Sequence, residues 1–385
     1  MNVEQTRWRP GMGWHPLAPV ALDPGAQLVL VFGDRYALER PEIVAELRRA
    51  MPATTLFGCS TAGEICDGEV CDGTVVATAV RFASTRLALA VAPLDDADAS
   101  FGTGRELATL LHRPGLSHVL VLSEGLKVNG TELAAGLESV LGPAVTVTGG
   151  LAGDGTRFTR TPVLAGDGTA PDLLAPGQAA ALGFYGEQLR VGCGSLGGWD
   201  SFGPERRITR SQGNVLFELD GRSALGLYKR YLGEHAAGLP ATGLLFPLSL
   251  RSADSGSAVV RTILAVDEEA QSMTFAGDVP EGSYARLMKA NFDRLIDGAM
   301  GAARRGAEPL HGCSPELALL ISCVGRKMVL QQRVEEEVEG VRQVVGDQPA
   351  LAGFYSYGEI SPFVPGARCE LHNQTMTVTT FAEVG

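Results

Sequence analysis

Residues Gly58-Cys59-Ser60-Thr61-Ala62-Gly63-Glu64 close a pattern made of an apolar run, an amphipathic helix and a second apolar run. The pattern ends twice more in a glycine followed by an acid, at Gly149-Gly150-Leu151-Ala152-Gly153-Asp154 and at Gly353-Phe354-Tyr355-Ser356-Tyr357-Gly358-Glu359. An internal repeat indicates that one structural unit is built several times. Since three similar strand ends can converge, the turns predict one polar pocket.

Each repeated unit is predicted as strand, helix and strand. In every helix the apolar residues return at the spacing of one helical face, and Pro41 and Asn129 are typical helix-start residues. The predicted elements are Leu28–Phe32, Pro41–Met51 and Thr55–Phe57; Val119–Ser123, Thr131–Leu141 and Val145–Thr148; and Leu317–Ser322, Val334–Val345 and Leu351–Gly353.

Strand-like runs follow each unit, rich in the β-branched and aromatic residues that favour sheets. They are Thr74–Phe82 paired with Leu87–Val91, then Gln178–Tyr185 and Gln188–Gly194, and finally Glu370–Phe381. The second half adds a helix at Ser223–Leu232, strands at Leu244–Leu250, Ala258–Val266 and Gln271–Phe275, and a long helix from about Tyr284 to Met300. These elements predict a mixed α/β fold in which helices cover the sheets of two similar lobes.

A domain boundary is expected near Asp220-Gly221, where a predicted strand ends in a turn. We therefore divide the chain into an irregular lead-in (1–25), a first domain (26–220) and a second domain (221–385).

The composition excludes several classes of partner. The chain has 385 residues and a net charge of −12, whereas proteins that bind nucleic acid or anionic membranes carry a basic patch. No apolar run reaches the length of about 18 residues expected of a membrane-spanning helix, and no secretory signal is visible. We expect a cytoplasmic protein with no nucleic-acid or membrane partner, whose seven cysteines are mostly reduced.

The acids Glu64, Asp154 and Glu359 admit two interpretations. A carboxylate placed at a strand end by a tight glycine turn can bind an ammonium group, a hydroxyl or a metal ion. It can equally cap neighbouring backbone amides, as acids in turns often do.

Cys323 and Arg326 follow the apolar run of the third unit. Cys323 is either a small residue packed at the strand end or a thiol whose pKa is lowered by nearby cations. A guanidinium beside an apolar strand end needs an anion, so we expect Arg326 to pair with Glu359 or with a ligand carboxylate.

The last predicted strand opens with four polar residues, His372-Asn373-Gln374-Thr375. His372 is interpreted either as a hydrogen-bonded structural histidine or as a ligand contact, a general base or an axial ligand to haem iron. No histidine has the spacing of a zinc site. The nucleophile elbow of many hydrolases has the pattern G-x-S-x-G. Gly58–Ala62 has alanine in place of the last glycine, so the sequence indicates no catalytic triad at Cys59 and Ser60.

Five motifs resemble the FIST family. Phe57–Glu64 and Gly149–Asp154 are similar to its N-terminal domain, and Ser322–Arg326, Gly353–Ile360 and Leu371–Met376 to its C-terminal domain. The resemblance extends from about Gln27 to Glu383, so 26–220 is the expected FIST N-terminal domain and 221–385 the expected FIST C-terminal domain. It implies a sensory protein that binds a small ligand, with amino acids proposed, and signals through a partner such as a histidine kinase.

We therefore expect a ligand-binding sensor without catalytic activity. In this interpretation Arg326 pairs with the carboxylate of an amino acid, Glu64 or Glu359 with its ammonium group, and Tyr355 and Tyr357 form the walls between the two halves. The full set of expected ligand contacts is Cys59, Ser60, Glu64, Asp154, Cys323, Arg326, Tyr355, Tyr357, Glu359, His372 and Asn373.

Three alternatives stay open at this point. Some members of the family are haem proteins that sense nitric oxide and regulate a kinase, which would make haem the cofactor, bound through His372 or a cysteine thiolate. A second alternative is an enzyme with Cys323 or Cys59 as its nucleophile. The third is a scaffold that binds only other proteins.

Overall fold

The computed structural model describes residues 1–251, 258–363 and 366–384. The strands of the first half are β1 (Asn2–Arg9), β2 (Gly13–His15), β3 (Leu28–Gly33), β4 (Thr55–Ser60), β5 (Glu64–Cys66), β6 (Glu69–Cys71), β7 (Val75–Arg81), β8 (Arg86–Pro93), β9 (Leu116–Ser123), β10 (Thr146–Leu151), β11 (Val163–Gly166), β12 (Leu173–Ala175), β13 (Gln178–Tyr185) and β14 (Leu189–Leu196). Those that follow are β15 (Trp199–Gln212), β16 (Val215–Leu219), β17 (Arg222–Ser223), β18 (Leu248–Arg251), β19 (Ala258–Arg261), β20 (Ile263–Asp267), β21 (Ser272–Phe275), β22 (Tyr284–Ala290), β23 (Leu317–Cys323), β24 (Ala350–Ser356), β25 (Gly358–Pro362), β26 (Cys369–His372) and β27 (Met376–Glu383).

The α-helices are α1 (Arg35–Leu38), α2 (Pro41–Ala50), α3 (Ser100–Leu111), α4 (Gly130–Leu141), α5 (Ala224–Leu232), α6 (Phe292–Ala307), α7 (Val324–Leu330) and α8 (Val334–Val345). Short 3-10 helices lie at Pro19–Ala21, Ala97–Ala99, Gly233–Gly238, Ala241–Leu245, Glu308–Leu310 and Gln331–Arg333. Within the described ranges, none of the helices has the length and apolar character needed to cross a membrane.

Three sheets follow one plan, which the repeated units dictate. Each has a parallel pair from one unit at its centre: β3 and β4, β9 and β10, or β23 and β24. The strand that later returns beside the pair, namely β7, β13 or β27, is antiparallel to the first strand of the pair. The predicted mixed α/β class is confirmed.

The units exchange strands in a closed cycle. After its parallel pair, the first unit sends β5 to pair with β24 of the third unit. The third unit sends β25 to β10 of the second, and the second sends β11 to β4 of the first. The arrangement is therefore pseudo-threefold, and two of its three sheets contain strands from both halves of the chain.

Glycine is required where the paired strands approach each other most closely. A Cβ atom on Gly58, Gly149 or Gly353 would lie 1.7, 1.8 or 1.9 Å from the carbonyl oxygen of the neighbouring strand. Only glycine avoids that collision. The repeated glycine is thus explained by backbone packing.

Aromatic rings fill the central core where the sheets meet. Phe32 and Phe354, from two different units, stack with centroids 4.6 Å apart. Phe82 directly follows β7, and Phe184 and Phe381 lie near the ends of β13 and β27. The ring centroid of Phe184 lies 6.0 Å from that of Phe82 and 5.6 Å from that of Phe381. Burial of this area stabilises the cyclic arrangement, while the helices bury their apolar faces on the outside.

A fourth sheet stands apart from the cycle. Its strands are ordered β19-β18-β22-β15-β16-β21-β20, and α5 packs on it around a separate core. The predicted helix from Tyr284 to Met300 is wrong, because Tyr284–Ala290 is strand β22 and the helix begins at Phe292 after the cap of Asn291. We call β15–β22 with α5 the lobe.

Three further sequence predictions are wrong. The lead-in 1–25 is not irregular, since β1 pairs with β7 from Asn2 to Trp8. The runs at Thr74–Phe82 and Leu87–Val91 do not pair with each other, because β7 and β8 lie in different sheets. The run at Glu370–Phe381 is interrupted at Asn373–Thr375, which joins β26 to β27.

Candidate functional site

The three glycine-acid turns meet as predicted and form a ring of backbone hydrogen bonds. Each turn donates one N–H to the next turn around the pseudo-threefold axis. The bonds run from Ala62 N to Tyr355 O at 2.8 Å, from Gly153 N to Ser60 O at 3.0 Å and from Tyr357 N to Leu151 O at 3.1 Å. We call this arrangement the ring; it lies at the carboxyl ends of the parallel strands, where α/β proteins commonly bind ligands.

Glu64 binds a hydroxyl of its own turn and caps the start of the segment at Thr74. Its carboxyl group is fully buried and accepts hydrogen bonds from Thr61 Oγ1 at 2.5 Å, Thr74 Oγ1 at 2.6 Å and Thr74 N at 3.2 Å. Burial raises the pKa of Glu64 to about 7, because the charged form loses its hydration.

Glu359 repeats this arrangement in the third unit. Ser356 Oγ donates to it at 2.7 Å, and Thr375 donates through Oγ1 at 2.8 Å and through N at 3.2 Å. Burial raises the pKa of Glu359 to about 8. A role of Glu64 or Glu359 in contacting a ligand stays a prediction; the geometry explains both as caps.

Asp154 is held differently. Its carboxylate accepts from the backbone N–H groups of Phe158, Thr159 and Arg160 at 2.9 to 3.1 Å and from Tyr357 Oη at 2.5 Å. Arg35 approaches it to 3.5 Å. Burial alone would raise its pKa, but these hydrogen bonds outweigh burial and lower it.

The predicted partner of Arg326 is wrong. Arg326 and Glu337 are both fully buried and form an ion pair of 2.7 Å, so neither Glu359 nor a ligand carboxylate satisfies this guanidinium. Glu337 lies on α8, and it also accepts from Tyr355 Oη at 2.7 Å. The remaining donors of Arg326 bind the carbonyl groups of Leu295 and Gly197. Arg326 and Tyr355 therefore join α8 to the sheet.

The thiols at the strand ends are not activated. Cys59 and Cys323 are fully buried, and burial raises the pKa of each well above its ordinary value. A nucleophilic cysteine needs the opposite shift. This contradicts the hypothesis of a thiol enzyme at either position. Ser60 is equally buried, and its hydroxyl has no partner among the described residues.

His372 does not fit an axial haem ligand. Only 3% of the residue is exposed, and Nε2 lies 2.9 Å from the carbonyl oxygen of Ser361. Burial lowers the pKa of His372 to about 4, so the ring is neutral. The structural interpretation of this histidine is the one that the contacts support. The described residues also contain no group of three or more His, Cys, Asp or Glu side chains able to hold a metal ion.

Asn373 and Gln374 bind the lobe to the ring. Asn373 Nδ2 donates to the carbonyl of Tyr357 at 3.2 Å, and its Oδ1 accepts from Thr262 N at 3.2 Å. Gln374 has a φ of 64° and donates to Leu244 O and Thr262 Oγ1 at 2.9 and 3.1 Å. The polar run is thus a structural junction in this arrangement.

Comparison with known proteins identifies the family. The model of the FIST N domain matches residues 27–222, and that of the FIST C domain matches residues 224–362. The chain belongs to the FIST family. No curated protein matches it. The structure is similar to that of a cyanuic acid hydrolase from A. caulinodans, with 12% sequence identity, over 78% of this chain and 100% of that one, at a TM-score of 0.18. So low a score carries no argument about fold or activity.

A cleft of about 540 Å³ separates the second unit of this FIST protein from the lobe. Three carboxylates line it, from Asp98 beside α3, Glu132 in the first turn of α4 and Asp278 in the loop between β21 and β22. Its other lining residues are Ala97, Asn129, Gln212, Gly213, Asn214, Val215 and Phe217. None of the predicted ligand contacts lies in this cleft.

Asn129 connects the two walls of the cleft. Its Oδ1 caps helix α4 by accepting from the backbone N–H groups of Thr131 and Glu132, and its Nδ2 donates to Asp278 Oδ1 at 2.6 Å. The sequence predicts the cap. It carries no signal for Asp278, because that contact joins residues 149 positions apart.

Proposed function

We propose that this FIST protein is a sensor that binds a small organic ammonium compound in the cleft between α4 and the lobe. The observation that carries the proposal is the charge of the lining, in which the described residues include three carboxylates and no lysine or arginine. Ligand sites occur preferentially where two parts of a fold meet, and about 540 Å³ is enough for a small metabolite.

The lining favours an amine over the amino acid expected from the sequence. Asp98, Glu132 and Asp278 offer partners for positive charge, and Phe217 and Val215 offer an apolar wall. The carboxylate of a bound amino acid would meet no cationic side chain among the described lining residues. It could not use the first N–H groups of α4 either, because Asn129 already caps them. An amine or polyamine therefore satisfies the cleft better than a zwitterion does.

The signal would pass to a partner protein, for which the resemblance implies a histidine kinase as a candidate. The lobe is the element suited to report occupation of the cleft, because it forms one wall and also contacts the ring. Binding can change the output only by favouring one arrangement of the protein over another.

Calorimetry on the purified full chain tests the proposal, with spermidine, putrescine, alanine and glutamate as probes. We expect spermidine to bind with the highest affinity, and its affinity to fall as salt is raised, because the attraction is electrostatic. The variant Asp278→Asn should weaken spermidine binding about tenfold, the equivalent of about 1.4 kcal/mol.

The variant Glu234→Gln serves as the matched control, because Glu234 is exposed and does not line the cleft. It should bind spermidine as the wild type does. The proposal is wrong if neither amine binds, or if Asp278→Asn and Glu132→Gln together leave the affinity unchanged.

A further inference from the structure

A buried arginine lies behind the cleft. Only 5% of Arg261 is exposed, and within the described ranges no carboxylate lies at ion-pair distance from it. Its guanidinium donates to neutral oxygens instead: Asp278 O at 3.1 Å, Leu371 O at 2.9 Å and Thr131 Oγ1 at 3.3 Å. Burial lowers the pKa of Arg261 to about 10, while the charges of Asp278 and Glu370 act to raise it.

These contacts join three separate parts of the fold. Thr131 lies in the first turn of α4, Asp278 in a loop of the lobe, and Leu371 in β26 beside the ring. Thr131 Oγ1 also accepts from Asp278 N at 3.2 Å. Gly277 is needed at this junction, because a Cβ atom there would lie 2.5 Å from Thr131 Oγ1.

The next residue continues the network to the ring. Thr262 N donates to Asn373 Oδ1, and Thr262 Oγ1 accepts from Gln374 Nε2. Asn373 donates in turn to Tyr357 O, and Tyr357 N closes the ring. A connection therefore runs from the cleft wall to the pseudo-threefold axis, through the hydrogen bond of Arg261 to Asp278 O, the peptide bond between Arg261 and Thr262, and the hydrogen bonds of Asn373 with Thr262 N and Tyr357 O.

Gln374 makes this network sensitive to displacement. It is fully buried in the left-handed backbone region, and its Oε1 has no partner among the described residues. Its side chain fits only because residue 325 is glycine, where a Cβ atom would lie 2.3 Å from Nε2. Strained and unsatisfied groups persist where the surroundings hold them in place and are often part of a switch.

We infer that Arg261 is a positioning residue that couples occupation of the cleft to the Asn373–Gln374 junction. This inference rests on the proposed function. The carboxylate of Asp278 helps to stabilise the buried charge of Arg261, and an ammonium ligand beside Asp278 opposes that charge. Ligand binding therefore loosens the contacts of Arg261 with Leu371, and removing its charge strengthens ligand binding.

Hydrogen exchange with and without spermidine tests the coupling in the full chain. In the wild type, spermidine should speed the exchange of backbone amides in peptides that cover residues 369–376. The variant Arg261→Gln should bind spermidine several-fold more tightly and show no such change. A merely structural role for Arg261 would instead weaken binding.

Asn373→Ala is the second variant, because it removes both side-chain hydrogen bonds that carry the network beyond Thr262. It should leave spermidine affinity unchanged and abolish only the exchange response at residues 369–376. If the wild type binds spermidine without any response there, the coupling is wrong and the proposed function stands.

A double-mutant cycle keeps the inference testable without a ligand. Urea unfolding of Asp278→Asn, Asn373→Ala and the double variant measures their coupling directly. We expect the unfolding equilibrium constants to depart at least threefold from additivity, and additive effects would overturn the inference. Absence of spermidine binding together with a coupled cycle would refute the proposed function alone.

Discussion

The Glu64, Glu359 and Asp154 turns occupy equivalent places in the ring, and each buries an acid. The pKa of the acid is raised in the first two turns and lowered in the third. Glu64 and Glu359 each come six positions after the repeated glycine, and each accepts from two hydroxyl groups and a single backbone N–H. Asp154 comes five positions after Gly149 and collects backbone N–H groups. Hydroxyl groups tolerate a neutral acid, whereas a set of N–H donors favours the ionised form.

This difference marks out the second unit. The unit that departs from the hydroxyl arrangement also provides α4 and Glu132, which form one wall of the cleft. The repeat therefore explains the scaffold, and the candidate site lies beside the unit that differs most.

The largest effect is expected from the feature that all three turns share. Replacing Gly58, Gly149 or Gly353 by alanine places a methyl group within 2 Å of a backbone carbonyl. Neither the strand nor the carbonyl can move without breaking the sheet, so we expect each change to cost more than about 4 kcal/mol. Urea unfolding, or loss of soluble expression, measures this effect.

Gly102→Ala is the matched control, since nothing lies within 4 Å of the position of its Cβ atom. It should leave the free energy of unfolding unchanged or raise it slightly, because alanine favours helices. A mild effect at Gly149 alone would show that the second unit is less tightly paired than the other two.

An intermediate effect is expected at Asp154. Replacing it by asparagine removes the charge that three backbone N–H groups and Tyr357 stabilise, at a cost of about 2–3 kcal/mol near pH 7. Because the pKa of Asp154 is lowered in the folded state, its contribution is present above its ordinary value of 3.8 and is lost as pH falls. The destabilisation by Asp154→Asn, measured by urea unfolding, should therefore be smaller at pH 3 than at pH 7; equal values would contradict the ionised assignment.

The repeated units were predictable because their signals are local. Periodicity predicts helix α8 at its observed bounds and places the other two helices of the units within one residue at either end. The exchange of β5, β11 and β25 was not predictable, because each pairs with a strand far away in the chain. The sequence predicts a helix over Tyr284–Ala290 because a strong helical pattern follows directly, whereas the structure forms strand β22 there and begins the helix at Phe292.

The site was less predictable for a related reason. Sequence shows that Arg326 needs an anion, but the choice of Glu337 over Glu359 depends on how α8 packs on the sheet. The acids of the cleft carry no motif, since Asp98, Glu132 and Asp278 meet only through the docking of the lobe. Only the contacts of Glu64 with Thr61 and of Glu359 with Ser356 were predictable, since each hydroxyl residue stands three positions before its glutamate in the sequence.

The last effect is measured as a change per pH unit and concerns the pH dependence of stability, where the two kinds of turn should have opposite signs. The pKa values of Glu64 and Glu359 are raised from 4.5 to about 7 and about 8 in the folded state. Between pH 4.5 and these values the folded state holds protons that the unfolded state has released. Stability should therefore fall as pH rises, by at most about 1.4 kcal/mol per pH unit for each group.

The double variant Glu64→Gln and Glu359→Gln separates this contribution from that of Asp154. Glutamine keeps the shape of the protonated acid and one donor, so the variant should lose little stability at pH 5. Its urea-unfolding free energy should then change less than that of the wild type between pH 5 and pH 8. Equal slopes in the two proteins would mean that both glutamates are ionised in the ring. The contrast with Asp154 would then be one of hydrogen-bond donors and not of charge.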